Sequence, residues 1–217
     1  MVLENVTIVY GGRRVLEAST LRIEPGRVTA LLGRNGTGKS SIFRSICGLY
    51  SDPDLSVSVD GRRIAKPYTV PGLINYIPQD AAHPPRLTVS ALLTHYGLRA
   101  GAFYERYPLF PELDGTQLRD LSPGTERLLV TLIALEADTR YTVLDEPFSN
   151  IMPLHKDMLT DTIRRVATRK GVLLSDHQYR TVLAVADELY LIADRRIRKL
   201  SAVRELVEFG YLREKPG

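Results

Sequence analysis

The octapeptide Gly33-Arg34-Asn35-Gly36-Thr37-Gly38-Lys39-Ser40 constrains this chain more than any other part of it. It fits G-x-x-x-x-G-K-[ST] without a mismatch, follows the apolar run VTALL and opens the helix-like KSSIFRSICGL. Glycines let a backbone wrap closely enough for its N–H groups to face phosphate oxygens, and the following helix N-terminus adds a favourable dipole. Lys39 can then reach β- and γ-phosphates, the Ser40 hydroxyl can ligate Mg²⁺, and Ser41 completes the nucleotide-binding set. A glycine-rich turn without a ligand is the weaker reading. Average composition gives a chance match on the order of one in a hundred in a chain this long, before the strand–helix context is counted.

Around that loop the sequence alternates strands and helices. LENVTIVY, ASTLRIEP and SVSVDGRRI, the last with a turn at Asp60-Gly61, predict a small antiparallel sheet. VTALLG, YTVLDEP, VLLSDH and ELYLIA are short apolar runs of the buried parallel type, with LINYIPQ a shorter fifth. Helical patterns lie between them in KSSIFRSICGLY, ERLLVTLIALEAD, HKDMLTDTIRRVATRK and YRTVLAVADEL, so βα units with right-handed crossovers are the economical topology. Residues 80–138 contain no convincing strand and read as a helical insertion reached through the proline-rich DAAHPPRLT. The expected class is α/β: a P-loop NTPase core with a mostly parallel sheet, an N-terminal antiparallel β subdomain and a helical subdomain inserted at about 80–138. With 217 residues, one such domain over 1–217 is expected rather than two.

Composition narrows the setting. An apolar fraction of 44% and a charged fraction of 25% are those of a folded protein, not a disordered one. The single cysteine, Cys47, sits in an apolar run and has no internal partner, which suits a reducing cytosol and a buried structural thiol. No apolar run reaches the roughly 18 residues that span a bilayer, and no basic-then-apolar leader opens the chain, so any membrane span is expected from other subunits. The formal charge of +4 comes from scattered rather than clustered basic residues, so no nucleic-acid partner is expected.

The order of the remaining motifs resembles the ABC ATPase family over nearly the whole chain. Tyr10, 23 residues before Gly33, stands where that family places a ring that stacks on adenine. Gln79, ending NYIPQ, resembles the Q-loop glutamine that senses Mg²⁺ and the γ-phosphate. YTVLDEP resembles the Walker B strand, which gives Asp145 a role in holding Mg²⁺ and Glu146 one in orienting or deprotonating the attacking water. His177 matches the switch histidine that contacts the γ-phosphate. Three strand ends, after Leu32, Leu144 and Ser175, each carry a candidate group, and ligands in open α/β sheets gather at that carboxyl edge. LSPGTE resembles the signature LSGGQ, whose serine and fourth-residue N–H, here Ser122 and Gly124, contact ATP bound to another subunit; as a helix start it is also simply a serine N-cap followed by proline.

The resemblance implies catalytic roles for Lys39, Glu146 and His177, with ATP and Mg²⁺ as ligands. It also implies a second ATPase subunit, identical or not, placed head to tail, and separate transmembrane subunits. A transporter's energy-coupling subunit, peripheral on the cytoplasmic face of the cell membrane, is the first function expected. A soluble ABC ATPase switch acting on nucleic acid or ribosomes, and an ATP-binding module with little turnover, remain as alternatives. DHQYRTVLAVADELYLI is similar to the ATPases of lipopolysaccharide export and branched-chain amino-acid import, a likeness that names no cargo. Two positions depart from the pattern: Pro123 replaces the first signature glycine, and Met152 stands where the family usually has aspartate. The insertion is also short for the family.

Overall fold

The computed structural model describes residues 1–10, 13–49, 56–80 and 83–212, with backbone alone at Tyr10 and Arg13. Strands β1 (Val2–Tyr10) and β2 (Arg13–Arg22) pair antiparallel. β2 therefore begins earlier than ASTLRIEP suggests and stops before Pro25, which lacks the N–H a ladder needs. β3 (Val28–Gly33) leads through the phosphate loop into α1 (Lys39–Ile46). β4 (Ser56–Val59) and β5 (Arg62–Arg63) turn at Asp60-Gly61 and complete a four-stranded sheet in the order β2-β1-β4-β5.

β6 (Ile74–Ile77), within LINYIPQ, is followed by α2 (Val89–His95), α3 (Ala100–Arg106) and α4 (Pro123–Glu136) before β7 (Tyr141–Asp145). Among the described residues, no strand lies between β6 and β7 apart from an isolated bridge of Thr88 with Gln117. Beyond β7 come α5 (Pro153–Ala167), β8 (Gly171–Ser175), α6 (Tyr179–Val185) and β9 (Glu188–Ala193). The chain then adds β10 (Arg196–Leu200) and the short α7 (Glu205–Glu208). The second sheet runs β10-β9-β3-β8-β7-β6; its four pairings from β9 to β6 are parallel, while β10 is antiparallel to β9.

Successive side chains of a strand point to opposite faces, and here both faces are buried. Val28, Ala30 and Leu32 of β3, Leu144 of β7 and Val172 and Leu174 of β8 meet the helical layer, including Leu132 and Ile133 of α4 and Ile163 of α5. Leu31, Val143 and Leu173, the alternate residues, meet Phe43 and Ile46 of α1 and Leu3, Ile8 and Leu21 of the antiparallel sheet. Two cores thus share one sheet, which explains why these strands read as unbroken apolar runs. Cys47 is buried, and burial pushes its thiol up to about 12, as befits a structural role. At the far end of α4, the Glu136 carboxylate accepts from Tyr107 Oη at 2.6 Å, Arg106 at 3.2 Å and Arg169 at 3.1 Å, tying α3, α4 and the end of α5 together.

Lys170, only 1% exposed, closes the same end of the sheet. Its Nζ donates to Ala137 O at 2.7 Å and to the hydroxyls of Thr139 and Thr142 at 3.1 Å each. Burial, helped by the neighbouring Arg169 charge, pushes its pKa down to about 8 from an ordinary 10.5. The unfolded chain therefore holds this proton to higher pH than the folded one, and the stability difference is flat below about pH 8 and rises above it. Measured by urea unfolding against Lys170→Met, the wild-type protein should gain about 1 kcal/mol between pH 7 and pH 9. A difference that stays constant over that range would show that the ammonium is not titrating as its burial requires.

Candidate functional site

The carboxyl ends of β3, β8, β7 and β6 lie side by side, and each delivers a polar group. After β3, the phosphate loop holds Gly36 and Gly38 at φ of 78° and 97°, backbone that side chains bearing a Cβ rarely adopt. Gly38 is also the residue from which α1 starts, so the loop's N–H groups and the helix N-terminus share one concavity. Thr37 Oγ1 donates to Arg34 O at 2.8 Å, and Lys39 Nζ donates to Gly33 O at 2.8 Å and to Arg34 O at 3.3 Å. Burial works to lower the Lys39 pKa, opposed by Asp145 and Glu146. Arg34 turns away, donating to Gly210 O at 2.6 Å beyond α7.

A cavity of about 470 Å³ lies over this loop, lined by Asn35, Lys39, Ser40, Gln79, Asp145 and Glu146 among others. Asp145 is 2% exposed, and burial raises its pKa against a hydrogen bond from Ser40 and the charge of Lys39. The Ser40 hydroxyl, the Asp145 carboxylate and the Gln79 amide are hard oxygen donors facing one space. That set fits Mg²⁺, which takes few protein ligands and completes its shell with water and substrate phosphates. The described residues include no group of three or more His, Cys, Asp or Glu arranged to hold a metal by themselves.

Glu146 is the point where the elements converge. Its Oε2 accepts from Gln79 Nε2 at 3.1 Å and from Ser149 Oγ at 3.0 Å, and lies 3.5 Å from His177 Nδ1. Its backbone sits at φ 53°, in the left-handed region, which costs a non-glycine residue about 1 kcal/mol or more. Glu146 N donates to Ser175 O at 2.7 Å, which helps hold that conformation. The His177 side chain is 59% exposed, whereas its neighbour Asp176 is buried and accepts from Phe148 N at 2.8 Å and Gln178 N at 2.9 Å. Asp176 thereby stitches the loop after β7 to the loop after β8. Ser149, Asp176 and Val15, which lines the cavity, were not singled out by the sequence reading.

Ser122 and Gly124 are not part of that cavity. Ser122 Oγ caps α4 by accepting from Thr125 N at 3.2 Å, and Pro123 occupies the first helical position. Gly124 packs against the loop after β7: a Cβ there would fall 2.4 Å from Asn150 O. Pro123, Glu126, Arg127 and Asn150 instead line a neighbouring cavity of about 260 Å³, with Gln79 as the wall common to both. Met152 is 62% exposed, close in sequence to Asn150. Tyr10 ends β1, but its side chain lies outside the described residues.

Comparison with known proteins shows the family and the fold. A family model described as ABC transporter matches residues 16–149. The chain is 30% identical over 214 residues to the lipopolysaccharide export system ATP-binding protein LptB of Escherichia coli, covering 89% of this chain and 86% of that one. It is also 30% identical over 209 residues to an uncharacterized ABC transporter ATP-binding protein of Rhizobium meliloti, covering 88% and 76%. Among solved structures, the ATP-binding subunit of an ABC transporter superposes with a TM-score of 0.82 at 24% identity, covering 99% of this chain and 95% of that one. A nucleotide-free ATP-binding cassette from an ABC transporter gives 0.81 at 20% identity. No helix among the described residues is long and apolar enough to cross a membrane.

Proposed function

This chain belongs to the ABC transporter family as an ATP-binding subunit, and we propose that it hydrolyses Mg-ATP to drive closure and opening of a head-to-tail dimer that energises separate membrane subunits. The observation that carries the reading is the convergence of Gln79, Ser149 and His177 on the Glu146 carboxylate beside the phosphate loop. A carboxylate held there can orient and deprotonate a water for in-line attack on the γ-phosphate. Lys39 exchanges its carbonyl partners for the β- and γ-phosphate oxygens, and His177, exposed beside Glu146, contacts the γ-phosphate. Mg²⁺ held by Ser40 and Asp145, with Gln79 beside them, would neutralise charge that develops on the phosphates.

Ser122 and Gly124 open α4 and do not line the cavity over the chain's own loop, which suits phosphate contacts to nucleotide on a second subunit. ATP then bridges two copies through its γ-phosphate, and hydrolysis releases the bridge. The chain works at the cytoplasmic face of the membrane, bound to subunits that supply the span. Ser122→Ala tests the bridge. Phosphate release should fall about tenfold or more, while nucleotide affinity of the dilute monomer stays within about twofold, because the hydroxyl acts across the interface. Unchanged turnover would return Ser122 to the role of a helix cap.

A further inference from the structure

Gln79, Glu146 and Ser122 belong to three separate segments, and one side chain joins all three. Arg127, on the second turn of α4, donates from Nη1 to Pro78 O at 2.5 Å and from Nη2 to the carbonyl of Asp145. Those carbonyls precede Gln79 and Glu146 directly, so a single planar group holds the peptide units that aim both side chains. The peptide between Asp145 and Glu146 is consequently fixed at both ends, its carbonyl by Arg127 and its N–H by Ser175. Fixing matters here, because Glu146 occupies the left-handed region and relaxes away from it unless its surroundings over-determine it.

Packing alone does not account for the choice of arginine. Arg127 is half-buried, and its desolvation is only partly offset by Asp145, Asp176 and Glu146 nearby. A guanidinium offers two donors in a rigid fork, whereas an ammonium on a flexible stem would serve the two carbonyls singly. Moreover, Arg127 is rigidly connected through one helical turn to Ser122, the cap of α4. The loop after Glu146 presents an exposed methionine at 152, which has no charge with which to carry a signal between sites.

We propose that Arg127 is a positioning residue that couples the start of α4 to the Gln79–Glu146 pair, so that docking of Ser122 on a partner's nucleotide sets the hydrolytic geometry in the chain's own site. The coupling half rests on the head-to-tail reading above. The positioning half stands on the contacts within one chain.

The test is steady-state phosphate release against ATP concentration for the wild type, Arg127→Met and Arg127→Lys, with fluorescent ATP-analogue binding to dilute monomer and a thermal melt on each. Arg127→Met should lower kcat about tenfold or more with monomer affinity within about twofold, and its Hill coefficient should fall to about 1 from a higher wild-type value. Arg127→Lys, which keeps charge but loses the fork, should recover only part of kcat while melting close to the wild type. Wild-type kcat and cooperativity in a folded Arg127→Met overturn the proposal. If that variant does not fold, Arg127→Lys decides: full kcat there overturns it, and reduced kcat at unchanged affinity supports it. A hyperbolic wild-type curve would instead count against the two-site reading and remove the coupling half, leaving kcat of the lysine variant to decide the positioning half.

Discussion

Lys39→Ala should abolish ATP binding at concentrations where the wild-type protein saturates. The ammonium is held at the floor of the loop by the carbonyls of Gly33 and Arg34, within reach of any phosphate that enters the cavity. Its burial already disfavours the charge, and phosphate oxygens would supply what Asp145 and Glu146 supply in part. Removing one partner of such a charge-assisted contact in a partly dry site costs about 3 kcal/mol, which is on the order of a hundredfold in affinity. Among the described residues, Arg34 and Arg127 are not free to substitute. Arg34 donates to Gly210 beyond α7, and Arg127 is committed to Pro78 and Asp145. Titration with a fluorescent ATP analogue, alongside a melt to confirm folding, reads the effect. Wild-type affinity in a folded variant would mean that nucleotide binds elsewhere.

Much of the fold is legible because the chain writes it in apolar runs. β3, β7 and β8 bury both faces and so lack the alternation of a half-exposed strand, which distinguishes them from β4 with its SVSV pattern. β10 is different. It reads RIRKL, a basic edge strand in which only Leu200 is buried, and its polar residues hide it from any search for apolar runs. Basic side chains on an edge are a familiar means of discouraging further pairing, so the feature that conceals the strand also has a use.

The candidate site divides along similar lines. Sequence locates Lys39, Gln79, Glu146 and His177 at strand ends, but their convergence depends on the order β3-β8-β7-β6, which no local pattern encodes. The close approach of Gly124 to Asn150, and the Asp176 carboxylate on Phe148 N, are likewise consequences of sheet order. Arg127 escapes notice for a further reason. Its partners are backbone carbonyls, present at every residue and therefore without a signature.

Glu146→Gln should leave ATP binding intact, reduce phosphate release by about a hundredfold or more, and trap a dimer when Mg-ATP is present. The amide is nearly isosteric with the carboxylate, and its carbonyl oxygen can accept from Gln79 Nε2 and Ser149 Oγ as Glu146 Oε2 does. The left-handed backbone at 146 is retained as well, since the hydrogen bond of its N–H to Ser175 and the hold of Arg127 on Asp145 do not involve the side chain. What is lost is the basicity that lets the carboxylate draw a proton from water, and one negative charge facing the γ-phosphate. Both changes favour the bound, uncleaved nucleotide. On the proposed bridge, with hydrolysis blocked and the γ-phosphate gripped by Lys39 on one chain and Ser122 on the other, the closed dimer would have no route to open except ATP dissociation. Sizing chromatography with light scattering should therefore show a nucleotide-dependent shift from monomer to dimer in this variant, and a weaker or absent shift in Glu146→Gln combined with Ser122→Ala. A single variant that turns over at the wild-type rate would remove Glu146 from the chemical step. One that binds ATP, fails to hydrolyse it and remains monomeric at every accessible concentration would separate the two claims, keeping the base and rejecting a dimer that assembles without its membrane subunits.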